Sequence, residues 1–72
     1  MDLIELETKK NLEREAAAAW LRDLADQLSR HNKLQFSEDG RRYTVDVPKD
    51  VTMEVEFEIG DDGSSLEVEL SW

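Results

Sequence analysis

Residues 51–72 read VTMEVEFEIGDDGSSLEVELSW, and the period of this stretch decides the fold. Val51, Met53, Val55, Phe57 and Ile59 alternate with Thr52, Glu54, Glu56 and Glu58; Leu66, Val68 and Leu70 alternate with Glu67 and Glu69. Successive side chains of a strand point to opposite faces, so each run has one apolar and one acidic face. The intervening GDDGSS is turn chemistry, which makes the pair a β-hairpin. Pairing Ile59 with Leu66 sets Glu58 opposite Glu67 and Glu56 opposite Glu69. A slip of two residues still opposes glutamate to glutamate, because the side-chain period is two. Trp72 shares the parity of Leu66, Val68 and Leu70. It is therefore expected in the core, closing the open end of the apolar layer; the alternative is an aromatic anchor for a partner.

Working toward the N-terminus, KLQF at 33–36 and RRYTVDV at 41–47 show the same period, with Leu34, Phe36, Tyr43, Val45 and Val47 as the apolar set. SEDG at 37–40 and PKD at 48–50 separate the runs with turn residues. The stretch NLEREAAAAWLRDLADQLSRHN, residues 11–32, has a different period. At 100° per residue, Ala16, Ala17, Trp20, Leu21, Leu24, Ala25 and Leu28 gather into one arc, with Glu15, Arg22, Asp26, Ser29 and Arg30 opposite. That is one helix with one face to bury, and Ala18 and Ala19 are expected toward water. Asn11 is the expected N-cap, Glu13 and Glu15 suit the positive end of the helix dipole, and Arg30 and His31 suit the other. Asp26 and Arg30 stand four apart in the favourable order, a pair worth about 0.2–0.5 kcal/mol. Ile4, Leu6 and Thr8 alternate with Glu5 and Glu7 as a short first strand.

The expected fold is therefore α+β, with one helix packed on a mainly antiparallel five-stranded sheet in the order β-α-β-β-β-β. The chain, residues 1–72, is one domain with no repeat and no linker. A right-handed return through the helix makes the first and second strands parallel. The expected order across the sheet is second, third, fourth, fifth, first. The expected core is Ile4, Leu6, Trp20, Leu21, Leu24, Leu28, Phe36, Tyr43, Val45, Val47, Val55, Phe57, Val68, Leu70 and Trp72. A chain of 72 residues buries only about 60% of its unfolded surface, so its stability is expected to be marginal.

The sequence EREAAAAWLRDLADQLSRHN followed by short strands and the ending LEVELSW resembles the amphi-Trp domains, a family named for that ending. The likeness runs over essentially the whole chain, and Trp20 within the alanine-rich helix and Trp72 are its most specific marks. It implies a small acidic domain, common in halophilic archaea, without an assigned biochemical function. The family's helix tends to open with a hydroxyl cap and a glutamate three residues on, whereas here Asn11 is followed by Arg14.

Charge narrows the functional classes. The chain holds 9 basic and 18 acidic residues, a net charge of −9. Residues 1–36 carry 7 acids and 6 bases, or −1, and residues 37–72 carry 11 acids and 3 bases, or −8. Such a C-terminal half repels nucleic-acid phosphate and anionic membranes, so neither is an expected partner. Without cysteine, an apolar span or a signal-peptide pattern, the chain is expected to be cytoplasmic and soluble.

The candidate partner surface is the acidic sheet face: Glu54, Glu56, Glu58, Glu67 and Glu69. Directly opposed like charges destabilise a sheet, and molar salt screens them, so the face reads as adaptation to a salty cytoplasm or as a dock for cations or a basic protein. Carboxylates about 6.6 Å apart along a strand are too open for a calcium loop. Asp61 and Asp62 lack the ligand spacing of an EF-hand. No metal or other cofactor is expected. His31 is the single histidine, no serine lies in a nucleophile motif, and no glycine-rich phosphate loop occurs, so no catalytic residue is expected. The reading favoured is a non-enzymatic protein-interaction module adapted to high salt, with a protein partner or a homodimer through an exposed sheet edge. The alternative is a cation- or basic-protein-binding domain acting through the glutamates.

Overall fold

The computed structural model describes residues 7–72. Helix α1 spans Arg14–His31, and four strands follow: β1 (Lys33–Glu38), β2 (Arg41–Asp46), β3 (Thr52–Gly60) and β4 (Gly63–Ser71). The class is α+β, as the periods imply. Among the described residues, however, the strands form two separate two-stranded antiparallel sheets, β1–β2 and β3–β4, and not one sheet of five. Of the expected first strand, Ile4 and Leu6 lie outside the described residues, and Thr8 is exposed and outside any strand. Of the expected order, the second and third strands are neighbours as β1–β2 and the fourth and fifth as β3–β4, whereas the third and fourth do not pair; the place and direction of the first strand lie outside the described residues.

The helix begins two residues after its expected start. Glu13, in extended conformation, precedes it without a capping side-chain hydrogen bond, and its carbonyl accepts the Ala17 amide at 3.0 Å. Asn11 therefore lies too far upstream to cap. The far end is as expected: Arg30 and His31 occupy the last turn, and Asn32 stops the helix at φ 54°, a left-handed conformation that asparagine tolerates. Asp26 and Arg30 do not reach ion-pair distance; the pairs formed among the described residues are Arg14–Glu15 at 3.7 Å and Lys33–Asp46 at 3.8 Å.

Each hairpin is fixed by a two-residue turn. Asp39 and Gly40 both have positive φ, 51° and 76°, the requirement of a type I′ turn, and the register places Phe36 opposite Tyr43 and Leu34 opposite Val45. In β3–β4, Gly60 faces Gly63 across Asp61-Asp62, and Gly63 adopts φ 148°, which disfavours a side chain. This tight turn shifts the pairing by two residues from the expected one, so Ile59 meets Ser64 rather than Leu66.

Helix α1 packs on β1, held also by Gln27, whose Oε1 accepts the Gln35 amide at 3.0 Å while its Nε2 donates to Asp23 at 3.1 Å. The Val47 amide donates to the Asn32 carbonyl at 2.9 Å, pinning the exit of β2 to the helix end. The chain then leaves through Pro48. Proline offers no amide to a ladder and holds the residue before it extended, and β2 does not fold back against β3.

The expected core is not closed. Among the described residues none is fully buried. Leu24, Leu28, Phe36, Tyr43, Val47 and Leu70 are half-buried, whereas Trp20, Leu21, Val45, Val55, Phe57, Val68 and Trp72 are exposed. Ala18, expected toward water, is half-buried with Ala17. The cause is architectural: β3 and β4 pack on each other alone, so their apolar face lacks a covering layer among the described elements. The accessible surface is 7129 Å², against about 4,600 Å² for a compact chain of this mass. The radius of gyration is 14.1 Å, against about 11 Å for a compact domain of this length.

Candidate functional site

The β3–β4 hairpin carries both candidate surfaces, one on each side. On the acidic side, Glu54 is opposite Glu69, Glu56 opposite Glu67, and Glu58 opposite Ser65. All five expected glutamates thus share one exposed face and stand as two directly opposed pairs with one flanking residue. Among the described residues, no three histidine, aspartate or glutamate side chains converge as a metal site would require.

On the other side, Met53 pairs with Leu70, Val55 with Val68, and Phe57 with Leu66, and Ile59 stands over Ser64. This face is apolar except for Ser64 at the turn end, and wet: Phe57 is 71% exposed and Ile59 80%. Two open clefts border it. One, of about 660 Å³, lies between Leu28, Val47, Pro48, Val51, Met53 and Leu70, with Asn32 and Lys49 at its wall; the other, of about 630 Å³, is lined by Leu12, Ala17, Trp20, Leu21, Phe36 and Leu66 together with Thr8 and Lys10. The helix and the hairpin therefore present apolar side chains to the same open space. Period analysis places these residues on one face, but reads them as core.

A third, more polar hollow of about 500 Å³ is lined by Asp23, Gln27, His31, Lys33 and Gln35. His31 is exposed there at the helix end. Gln27, not singled out by its sequence pattern, joins the helix to β1 at this place.

The family model of the Amphi-Trp domain matches residues 1–72. The chain belongs to the Amphi-Trp family. No curated protein and no solved structure matches it. In this Amphi-Trp domain the two tryptophans are both partly in water, Trp20 at 45% and Trp72 at 55% exposure. Trp72 is thus not the core residue that its parity implies, because no element among the described residues covers the face it extends. No helix among the described residues of the Amphi-Trp domain is long and apolar enough to cross a membrane.

Proposed function

We propose that this Amphi-Trp domain is a non-enzymatic interaction module of a salt-rich cytoplasm, and that it binds a protein through the apolar face of β3–β4. The observation that carries the reading is the exposure of Val55, Phe57, Ile59, Leu66 and Val68 on one continuous face. Monomeric soluble proteins rarely expose large contiguous apolar patches, and those that do use them for association. An interface core of aromatic and aliphatic side chains with charge kept to the rim or the far side is the usual anatomy of such contacts. The test is retention of a protein at about 2 M KCl by wild type and its loss in Phe57→Ser. A wild-type chain that binds neither a partner nor itself, with Phe57 shielded from a soluble paramagnetic probe, refutes the reading.

The acidic face supports a second reading. Glu54 against Glu69 and Glu56 against Glu67 concentrate negative potential on one side of the hairpin, suited to a basic protein surface or to loosely held cations. Calorimetry against magnesium, calcium and a lysine-rich peptide separates the two, because only this reading predicts loss of binding in Glu56→Gln, Glu67→Gln.

A further inference from the structure

We infer that the partner of the apolar face is a second copy of this chain: two copies associate through β3–β4, the exposed side chains of each entering the clefts of the other. The inference rests on the interaction-module reading and specifies its occupant.

Area is the first argument. The chain exposes 7129 Å², roughly 2,500 Å² more than a compact monomer of its mass. Two copies together carry about 5,000 Å² of such excess, and obligate homodimers bury about 2,000–5,000 Å² in total. Association that removes even half the excess exceeds the standard interface of about 1,600 Å².

Self-complementarity is the second. A two-fold interface uses the same patch on both subunits, so every group in it must tolerate a copy of itself nearby. The patch meets this condition. Met53, Val55, Phe57, Ile59, Leu66, Val68 and Leu70 are uncharged, and all five glutamates of the hairpin point to the other side. Stacked sheets lie about 10 Å apart, and the two glutamate faces would then be on the outside of the pair. Their separation would exceed the Debye length of about 8 Å at physiological ionic strength, so a net charge of −9 per chain opposes the contact only weakly in salt.

Edge pairing satisfies less. Adding a strand to the edge of β3 or β4 would hydrogen-bond its free backbone groups but leave Phe57 and Ile59 in water. Face contact covers them, and the clefts of about 660 and 630 Å³ beside Met53, Leu66 and Leu70 give the partner's side chains somewhere to pack.

The experiment is size-exclusion chromatography with light scattering in about 2 M KCl over a roughly hundredfold concentration range, with isotope-filtered NOEs on a mixture of labelled and unlabelled chains. The expected mass is twice 8.3 kDa, with inter-copy NOEs from the Phe57 ring and the Ile59 methyls to Leu66, Val68 or Leu21. Phe57→Ser should weaken association at least about tenfold, with helix content unchanged, because Phe57 is 71% exposed and lies across from Leu66 in the hairpin, not against the helix. Association of wild type should also tighten between about 0.1 and 2 M KCl. A mass of 8.3 kDa throughout overturns the inference, as does a dimer whose inter-copy NOEs arise only from strand edges. In the monomeric case a soluble paramagnetic probe separates the two proposals: a Phe57 ring that it broadens leaves the face free for another partner, and a shielded ring removes the interaction-module reading as well.

Discussion

Replacing Glu56 and Glu67 together by glutamine should stabilise the domain in dilute salt and have little effect in concentrated salt. The two residues are directly opposite in the β3–β4 ladder; Glu56 is flanked along β3 by Glu54 and Glu58, and Glu67 along β4 by Glu69. Cross-strand neighbours hold carboxylates about 6 Å apart, and i, i+2 neighbours about 7 Å apart. Coulomb repulsion at about 6 Å in water is about 0.7 kcal/mol. Debye screening reduces it to about 0.4 kcal/mol at 0.1 M and about 0.1 kcal/mol at 1 M ionic strength. The double substitution removes four such neighbour repulsions, which is about 1.3 kcal/mol at 0.1 M and about 0.3 kcal/mol at 1 M. For a domain of this size that is a rise in Tm of about 5–10 °C in dilute salt and about 1–2 °C in 1 M salt. Thermal melts of wild type and variant by circular dichroism in KCl measure the difference directly. An equal gain at both salt concentrations would show that the substitutions act through β propensity or packing rather than charge. No gain at 0.1 M would remove electrostatic strain from the account altogether.

Three further outcomes follow from local geometry. Gly63→Ala forces a side chain onto φ 148° and should cost about 1–3 kcal/mol, read as a lower urea midpoint; an unchanged midpoint contradicts the turn conformation. Gln27→Ala removes the acceptor of the Gln35 amide and should cost about 1 kcal/mol, with faster hydrogen exchange at Gln35 and unchanged exchange in β3–β4. Deleting Trp72, which is only half covered, should cost about 2 kcal/mol, roughly half the value of a fully buried indole; a melting temperature equal to wild type would show that the ring contacts nothing of consequence.

The local layers of this structure were legible and the long-range one was not. The helical period located α1 to within a few residues, because an amphipathic arc is a property of the segment itself. Its start was misplaced because Asn11 has the right chemistry for a cap but Glu13 has the position. The expected β3–β4 register differs by two from the observed one because GDDGSS has the composition of a long turn, whereas Gly60 and Gly63 close it in two residues. The error left every residue on its expected face, which is why the opposed glutamates survived it. Joining β2 to β3 in one sheet requires a contact that no local pattern encodes. Alternation specifies which side of the hairpin is apolar without specifying what lies on it, so the face is legible in the sequence and its exposure is not.

The two short turns have a kinetic consequence. Each hairpin joins residues near in sequence, and the 47–51 segment connects the hairpins with little cross-contact. Hairpins close on a timescale of about 1–10 μs, so each half of the chain can reach its native pairing without waiting for the other. Amide protection should accordingly divide into two blocks with separate opening free energies, α1 with β1 and β2 in one, β3 and β4 in the other. Whatever covers the apolar face then acts as the clamp that makes the two blocks open together.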